Sequence, residues 1–339
     1  MVDLSKQGMP MDFLQREHYQ SPRRVFSQTG SDWQRRVDFD QMRKDRLQRA
    51  KDMMEKHDMD AVIMFKGENI RYTCSVFQGN WKNNIFIRYA VLCRGAETPV
   101  LFETAGSDYE CARIDAPWLK GNIRPAITWK WSETAEQMMV NRMVDSVIDV
   151  LKEGGVDLNG RIGIDIMDFQ AYSAFTEKGV NLVNAWPAMS EARVIKTPEE
   201  IECLKISSTI GDTCMWKIRH EWLKPGIREC DLTAWVNNLL YEEGFDFVYD
   251  IIVASGGNTS PYRRWHTDKM IRDGDLVIVD INAIGPGGYF VDYVRCFKCG
   301  GDWTKTEKAL YREVYDSMYA GLVNLKPGQT TKDVASQFP

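Results

Sequence analysis

The chain has 339 residues, 43 of them Lys or Arg and 48 Asp or Glu, for a formal net charge of −5. Its 44% hydrophobic and 27% charged residues are ordinary for a globular protein of about two domains, which argues against fibrous or disordered architecture. A mildly acidic chain with no basic block, and no apolar run near the ~20 residues that a bilayer requires, is expected to take neither nucleic acid nor membrane as a partner.

Residues 1–40 are polar and irregular, with Pro22, Gly30 and paired arginines at 23–24 and 35–36. They read as an arm that packs on a partner subunit. They contain neither the apolar stretch nor the small-residue cleavage site of a secretory signal. The eight cysteines lack framework spacing and read as reduced thiols in a cytoplasm. The pattern predicts a helix over Phe39–Lys56, a buried strand at Asp60–Phe65, and further strands at Ile87–Cys93, Val100–Glu103, Arg161–Ile166 and Val180–Val183. A helical pattern covers Ala135–Glu153. Strands alternating with helices predict an α/β domain over residues 41–190.

Residues 191–339 form the second predicted domain. Thr197 and Glu200 can satisfy each other's backbone N–H groups, with Pro198 at the first helical position, so a long helix starts there. Its apolar stripe runs Ile201, Leu204, Ser208, Gly211, Met215, Ile218 and Trp222, and it must stop before Pro225 and Gly226. Leu223-Lys224-Pro225-Gly226 recurs as Leu325-Lys326-Pro327-Gly328. Each copy closes a helix opened by a Thr cap (Thr197; Thr304 and Thr306), and a second helix follows, at Cys230–Glu243 and from Thr330. A duplicated half-domain with its second copy cut short is the expectation.

Between the repeats, residues 274–300 read as a β-hairpin with turn residues Gly285-Pro286-Gly287-Gly288. Asp280 and Asp292 are equidistant from Pro286, so a hairpin symmetric about Pro286 makes them a direct cross-strand pair, about 4.5–5.5 Å apart at Cβ. Carboxylates that close repel each other. A divalent cation relieves the repulsion, because carboxylate oxygens are good ligands for such ions. A register-breaking bulge, or neutralisation by Arg295 or Lys298, is the structural alternative. Asn282 shares the strand face of Asp280, either as a weak ligand or bonded to the facing strand. Cys296 and Cys299 form a single CxxC that on a strand points to opposite faces, which fits two structural thiols better than a zinc site. Trp129 and Trp131 share a face, in core or at a dimer surface.

These segments resemble a known family. RVIKTPEEIECLK at 193–205, the LKPG stop, VASGGNTSPY at 253–262, and RDGDLVIVD followed by GYFVDYVRCF resemble the pita-bread metallohydrolase superfamily of Xaa-Pro dipeptidases and aminopeptidases, methionine aminopeptidase and creatinase. MRKDRLQRAKDMMEKHDMDAVIMFKGENIRY at 42–72 resembles the creatinase-type N-terminal domain of its prolidase and creatinase branch. The fold implied is α/β plus α+β: a creatinase-type N-terminal domain followed by a pita-bread catalytic domain, partial in this chain. By this resemblance Asp280 and Asp292 hold one or two divalent ions (Mn, Fe, Co or Zn), with a His and two Glu further along the chain. No histidine follows Asp292, the four being His18, His57, His220 and His266. The remaining ligands are therefore expected from beyond residue 339, and the chain alone is expected to be inactive.

Peptidases of the family carry Pro-His after the Ser-Gly turn, where this chain has Tyr262-Arg263, with His266 three residues on. Dimethylsulfoniopropionate lyases share the pattern without this His and the twelve-residue aspartate spacing, but have a third Asp where this chain has Asn282. The resemblance implies a metal-dependent hydrolase on a small-molecule or dipeptide substrate, with a lyase on the same site, or a non-catalytic pita-bread binding module, as alternatives. It also implies a homodimer. Arg263 is a candidate clamp for a substrate carboxylate, alongside Tyr262 as a substrate contact. His266 is a candidate acid or base, and Trp81 a candidate wall against a cationic group.

Overall fold

The computed structural model describes residues 37–76, 86–130, 135–262 and 264–338. The predicted arm before Val37, and Trp81, Trp131 and Arg263, lie outside the described residues. The chain divides into two compact units. The first holds the described residues through Gly211 with Leu239–Tyr249 and Asn282–Val291; the second holds Asp212–Asn238, Asp250–Ile281 and the residues from Asp292 on.

The first unit runs α1 (Phe39–Lys56), β1 (Ala61–Met64), α2 (Gly67–Cys74), β2 (Tyr89–Cys93), β3 (Val100–Glu103), α3 (Ser107–Asp115), β4 (Ile123–Pro125), α4 (Glu136–Glu153), β5 (Ile162–Ile164), α5 (Phe169–Glu177), β6 (Leu182–Asn184) and α6 (Trp186–Ala192). The strands form one mixed sheet in the order β4-β3-β2-β1-β5-β6. Central β1 is antiparallel to β2 and parallel to β5, with Ile63 level with Val91 on one side and Ile164 on the other. Val62 and Met64 enter a core with Met54, Ile70 and Leu92, while Ala61, Ile63 and Phe65 enter another with Phe102, Trp129 and Val144. With both faces covered, β1 reads in sequence as an unbroken apolar run rather than an alternation. The five strands expected here are present, Val100–Glu103 with the expected ends and the other four with slightly different ones. Helices α2, α3, α5 and α6 carry weak sequence signals, because about two turns give too few repeats of a 3.6-residue period.

Helix α7 (Pro198–Lys217) opens on the predicted capping box: Glu200 N donates to Thr197 Oγ1 at 3.2 Å and Thr197 N to Glu200 Oε2 at 2.7 Å. Gly211, Met215 and Ile218 of the predicted stripe are buried, but over the first half of the helix the buried face is shifted from it: Cys203, Ile206, Ser207 and Ile210 are buried, whereas Ile201 is exposed. The reason is close packing in the first unit. A side chain at Gly285 would collide with Ser207 Oγ, and one at Gly287 would lie 2.8 Å from Cys203 Sγ, so the small residues that admit a neighbour are Cys203 and Ser207. The α-helix ends at Lys217 and continues as a single wider turn over Ile218–Trp222, closed by Leu223 N donating to Ile218 O at 2.9 Å.

Then follow α8 (Glu229–Glu242), β7 (Phe247–Ser255), β8 (Leu276–Ile284), β9 (Phe290–Lys298), α9 (Lys305–Val323) and α10 (Thr331–Ala335), with β7-β8-β9 as a three-stranded sheet. The two LKPG copies match in conformation: Gly226 and Gly328 sit at φ +98° and +90°, left-handed backbone that favours glycine. Helix α9 opens on its own capping box, with Thr304 Oγ1 accepting from Glu307 N at 3.2 Å and Thr304 N donating to Glu307 Oε2 at 2.8 Å. Among the described residues no helix is long and apolar enough to cross a membrane.

Candidate metal centre

The β8–β9 hairpin is fixed at both ends. At its base Gly274, at φ +82°, donates to Cys299 O at 2.7 Å while Cys299 N donates to Asp275 O at 2.9 Å, so two residues oppose one in a glycine bulge. At its tip Gly285 N donates to Tyr289 O at 2.9 Å. Both strands have nine residues, so every step along β8 is matched by one step back along β9.

This register sets Asp280 opposite Val294, not opposite Asp292. The turn is centred on Gly287 rather than Pro286: Pro286 takes the first turn position, and Gly287 and Gly288 follow at φ +68° and +88°. Moving the centre by one residue moves the facing partner by two, which keeps the strand face. Asp280 and Asp292 are thus diagonal neighbours on one face, about 7–8 Å apart at Cα. The register removes the direct cross-strand pairing expected from the sequence and keeps both carboxylates on one strand face. The opposite face is apolar, with Val277, Val279 and Ile281 fully buried.

Asp280 is 6% exposed and Asp292 exposed. Tyr262 Oη donates to Asp280 Oδ2 at 2.6 Å, which brings one of the predicted substrate contacts to one of the predicted ligands. Neither cation offered by the structural alternative neutralises these acids. Arg295 donates to Val294 O at 2.8 Å and lies over the Tyr293 ring, and Lys298 pairs with Glu307 at 2.7 Å. Asn282 follows Asp280 by one strand period, partly buried. His266 is exposed, and of the other histidines His57 pairs with Glu191 at 3.1 Å and His220 packs against Trp216 with the rings tilted by 35°. Among the described residues no three His, Cys, Asp or Glu side chains gather as a metal-holding group. The described residues therefore fit part of a metal centre, two hard oxygen donors, and not a whole one. Trp129 is core, with Nε1 donating to Asp168 Oδ2 at 2.7 Å, and Cys296 and Cys299 are free thiols.

The structure adds a residue that the sequence conceals. Glu229 is fully buried in the first turn of α8 and closes the loop that carries Tyr262 and His266. One oxygen accepts from Ser255 N at 2.8 Å, Ser255 Oγ at 2.7 Å and Asn258 Nδ2 at 3.2 Å; the other accepts from Thr267 N at 2.9 Å and Thr267 Oγ1 at 2.7 Å. Burial opposes the charge, yet these donors from Thr267 and Ser255 hold the Glu229 carboxyl below the usual range. Beside it Lys269 bridges Ser255 Oγ and Asp275, each at 2.8 Å. Burial also works against the Asp275 charge, but Lys269 and the Arg272 N–H keep its carboxyl low as well. An acid in the first turn of a helix is so common that Glu229 gives no sequence signal of this role.

Comparison with known proteins agrees with this architecture. Residues 46–195 match the Creatinase/Prolidase N-terminal domain, and residues 202–338 match Metallopeptidase family M24. Curated relatives include an Xaa-Pro dipeptidase of Rattus norvegicus, 28% identical over 286 residues that span 79% of this chain and 57% of that protein. Another is an uncharacterized peptidase of Bacillus subtilis, 29% identical over 196 residues that span 56% of this chain and 54% of that protein. The chain thus spans about half the length of these relatives. Among solved structures, an Xaa-Pro dipeptidase from Bacillus anthracis superposes with TM-score 0.69 at 20% identity, covering 87% of this chain and 75% of that one. A prolidase from Pyrococcus furiosus gives 0.64 at 22%, covering 85% and 76%. Both show the same fold.

Proposed function

The chain belongs to the pita-bread M24 metallopeptidase superfamily, in the branch with a creatinase/prolidase N-terminal domain, and from that premise we propose a metal-dependent hydrolase acting on a dipeptide or similarly small substrate. The observation that carries the reading is the pair Asp280 and Asp292, diagonal on one hairpin face within the M24 match. These two carboxylates would hold the ion, with Asn282 beside Asp280 on the strand. When bound, a divalent ion in such a centre lowers the pKa of its water toward ~7 and polarises a carbonyl. The chain's own contributions are the phenol of Tyr262 on Asp280, which fixes the orientation of that carboxylate, and the Glu229 clip, which holds the loop bearing Tyr262 in place. Arg263, His266 and Trp81 keep their proposed parts as substrate clamp, acid or base, and pocket wall. A homodimer in the cytoplasm belongs to the same proposal.

Two acids do not fix an ion's geometry, so the 339-residue chain alone is expected to turn over no substrate. In a longer chain that contains it, Asp292→Ala is expected to remove bound metal and Xaa-Pro dipeptide hydrolysis together while the N-terminal domain melts unchanged. Full metal content in that variant refutes the assignment. One observation favours a second reading: the tyrosine where peptidases of the family have Pro-His, bonded to Asp280, suits a lyase of the dimethylsulfoniopropionate type. Assays of the same metal-loaded protein with an Xaa-Pro dipeptide, creatine and dimethylsulfoniopropionate decide between the two. Inactivity on all three with metal bound supports a binding module.

A further inference from the structure

A cavity of about 190 Å³ opens in the first unit, walled by Arg46, Arg71, Tyr72 and the turn at Gly287–Phe290, with Lys66, Glu68 and Arg193 also facing it. Most of its polar wall is committed to neighbours. Arg46 Nε donates to Glu200 Oε1 at 3.2 Å and its Nη2 to Gly287 O at 3.3 Å, Arg71 pairs with Asp246 at 2.7 Å, Tyr72 Oη donates to Ala192 O at 2.8 Å, and Tyr289 Oη donates to Glu200.

Three charged groups are not committed in this way. Arg193 Nη1 donates to Asn69 Oδ1, and Asn69 Nδ2 in turn donates to Asp165 Oδ2 at 2.8 Å, so the guanidinium is aimed by a neutral amide. Burial pulls Arg193 below the usual arginine range, against the pull of Glu68, Tyr72 and Asp165. A half-buried cation without a carboxylate in contact is costly unless something pairs with it. Lys66 Nζ lies 4.1 Å from the centroid of the Trp186 ring, a cation–π contact that supplies no counter-charge. Glu68 is exposed at the rim. The cavity is smaller than the ~300–1,000 Å³ of sites for drug-sized ligands, so its occupant is small.

We propose that this cavity binds a small zwitterion of the α-amino-acid class, with its carboxylate on Arg193 and Lys66 and its ammonium on Glu68. The guanidinium fork matches a carboxylate in two-pronged geometry, and the single rim acid distinguishes a zwitterion from a plain anion. A phosphate would meet the same two cations but also the repulsion of Glu68. The test is calorimetric titration of the 339-residue chain with L-alanine, acetate and inorganic phosphate at equal ionic strength. L-alanine is expected to saturate, with acetate and phosphate each at least ten-fold weaker. Arg193→Gln is expected to weaken L-alanine ten-fold or more, and Glu68→Gln to bring it down to the level of acetate. The exposed Glu68 variant keeps the test decisive should Arg193→Gln fail to fold. No saturation with L-alanine, phosphate binding as tight as L-alanine, or unchanged L-alanine affinity in Glu68→Gln overturns the proposal.

Discussion

The six-stranded sheet and helix α9 use apolar residues in opposite ways. Every residue of β1 is buried, and Trp129, Phe102 and Phe175 are fully enclosed. Helix α9 exposes Leu310, Val314, Met318 and Leu322 at a four-residue spacing, with Val314 70% exposed. Both segments carry an apolar pattern, an unbroken run in β1 and a four-residue repeat in α9. Only in the first does the described structure convert the pattern into burial, and stability follows burial rather than pattern.

Trp129→Ala is the strongest way to sharpen this contrast. The indole is fully buried, meets Phe65 edge-on with ring centroids 5.9 Å apart, and bonds Asp168. Its loss is expected to cost the unit about 3–5 kcal/mol. A urea melt followed by far-UV circular dichroism checks this, and a cost below about 1 kcal/mol would break the claim that this core is well packed.

Glu229→Gln tests the second unit through a polar residue instead of an apolar one. A glutamine offers one acceptor oxygen where Glu229 has two, and its NH2 would face the N–H of Ser255 or of Thr267. A cost of about 2–4 kcal/mol is expected, since hydrogen bonds to a charged group contribute ~1.5–3 kcal/mol. The sign with pH follows from the depressed carboxyl. The unfolded chain binds the proton more readily, so the contribution of Glu229 is full above the unfolded value of ~4.3 and is lost as pH falls through the lower folded one. Melts of wild type and Glu229→Gln are therefore expected to differ more at neutral pH than in acid. A constant difference would mean that the charge contributes nothing. The same variant should loosen the loop that carries Tyr262, seen as faster hydrogen exchange between Ser255 and Thr267.

What sequence reveals here divides along the same physical line. Capping boxes, the LKPG stops and the apolar strands are local, and Thr197, Thr304 and β1 lie where local chemistry puts them. That Asp280 and Asp292 share a strand face is also legible, because a two-residue period survives any even shift of register. Their facing partners are not, because the left-handed Gly287 and Gly288 together centre the hairpin turn one residue beyond Pro286. The buried face of α7 is likewise set from outside, by glycines about eighty residues away that press on Cys203 and Ser207. Glu229 is hidden because its five donors come from residues 26 to 38 positions downstream.

The smallest expected effect closes the comparison from the other side. Val314 lies mid-helix in α9, and removing an exposed valine takes away no buried surface. Serine and valine have about the same intrinsic helix propensity. Val314→Ser should therefore move the unfolding midpoint by an amount equivalent to no more than about 0.5 kcal/mol. Because the stripe Leu310, Val314, Met318 and Leu322 forms a contiguous apolar face, the variant should also show less concentration-dependent association in sedimentation velocity. A cost of 2 kcal/mol or more would show that this face is covered in solution, and α9 would then belong with the six-stranded sheet in using its apolar pattern for burial.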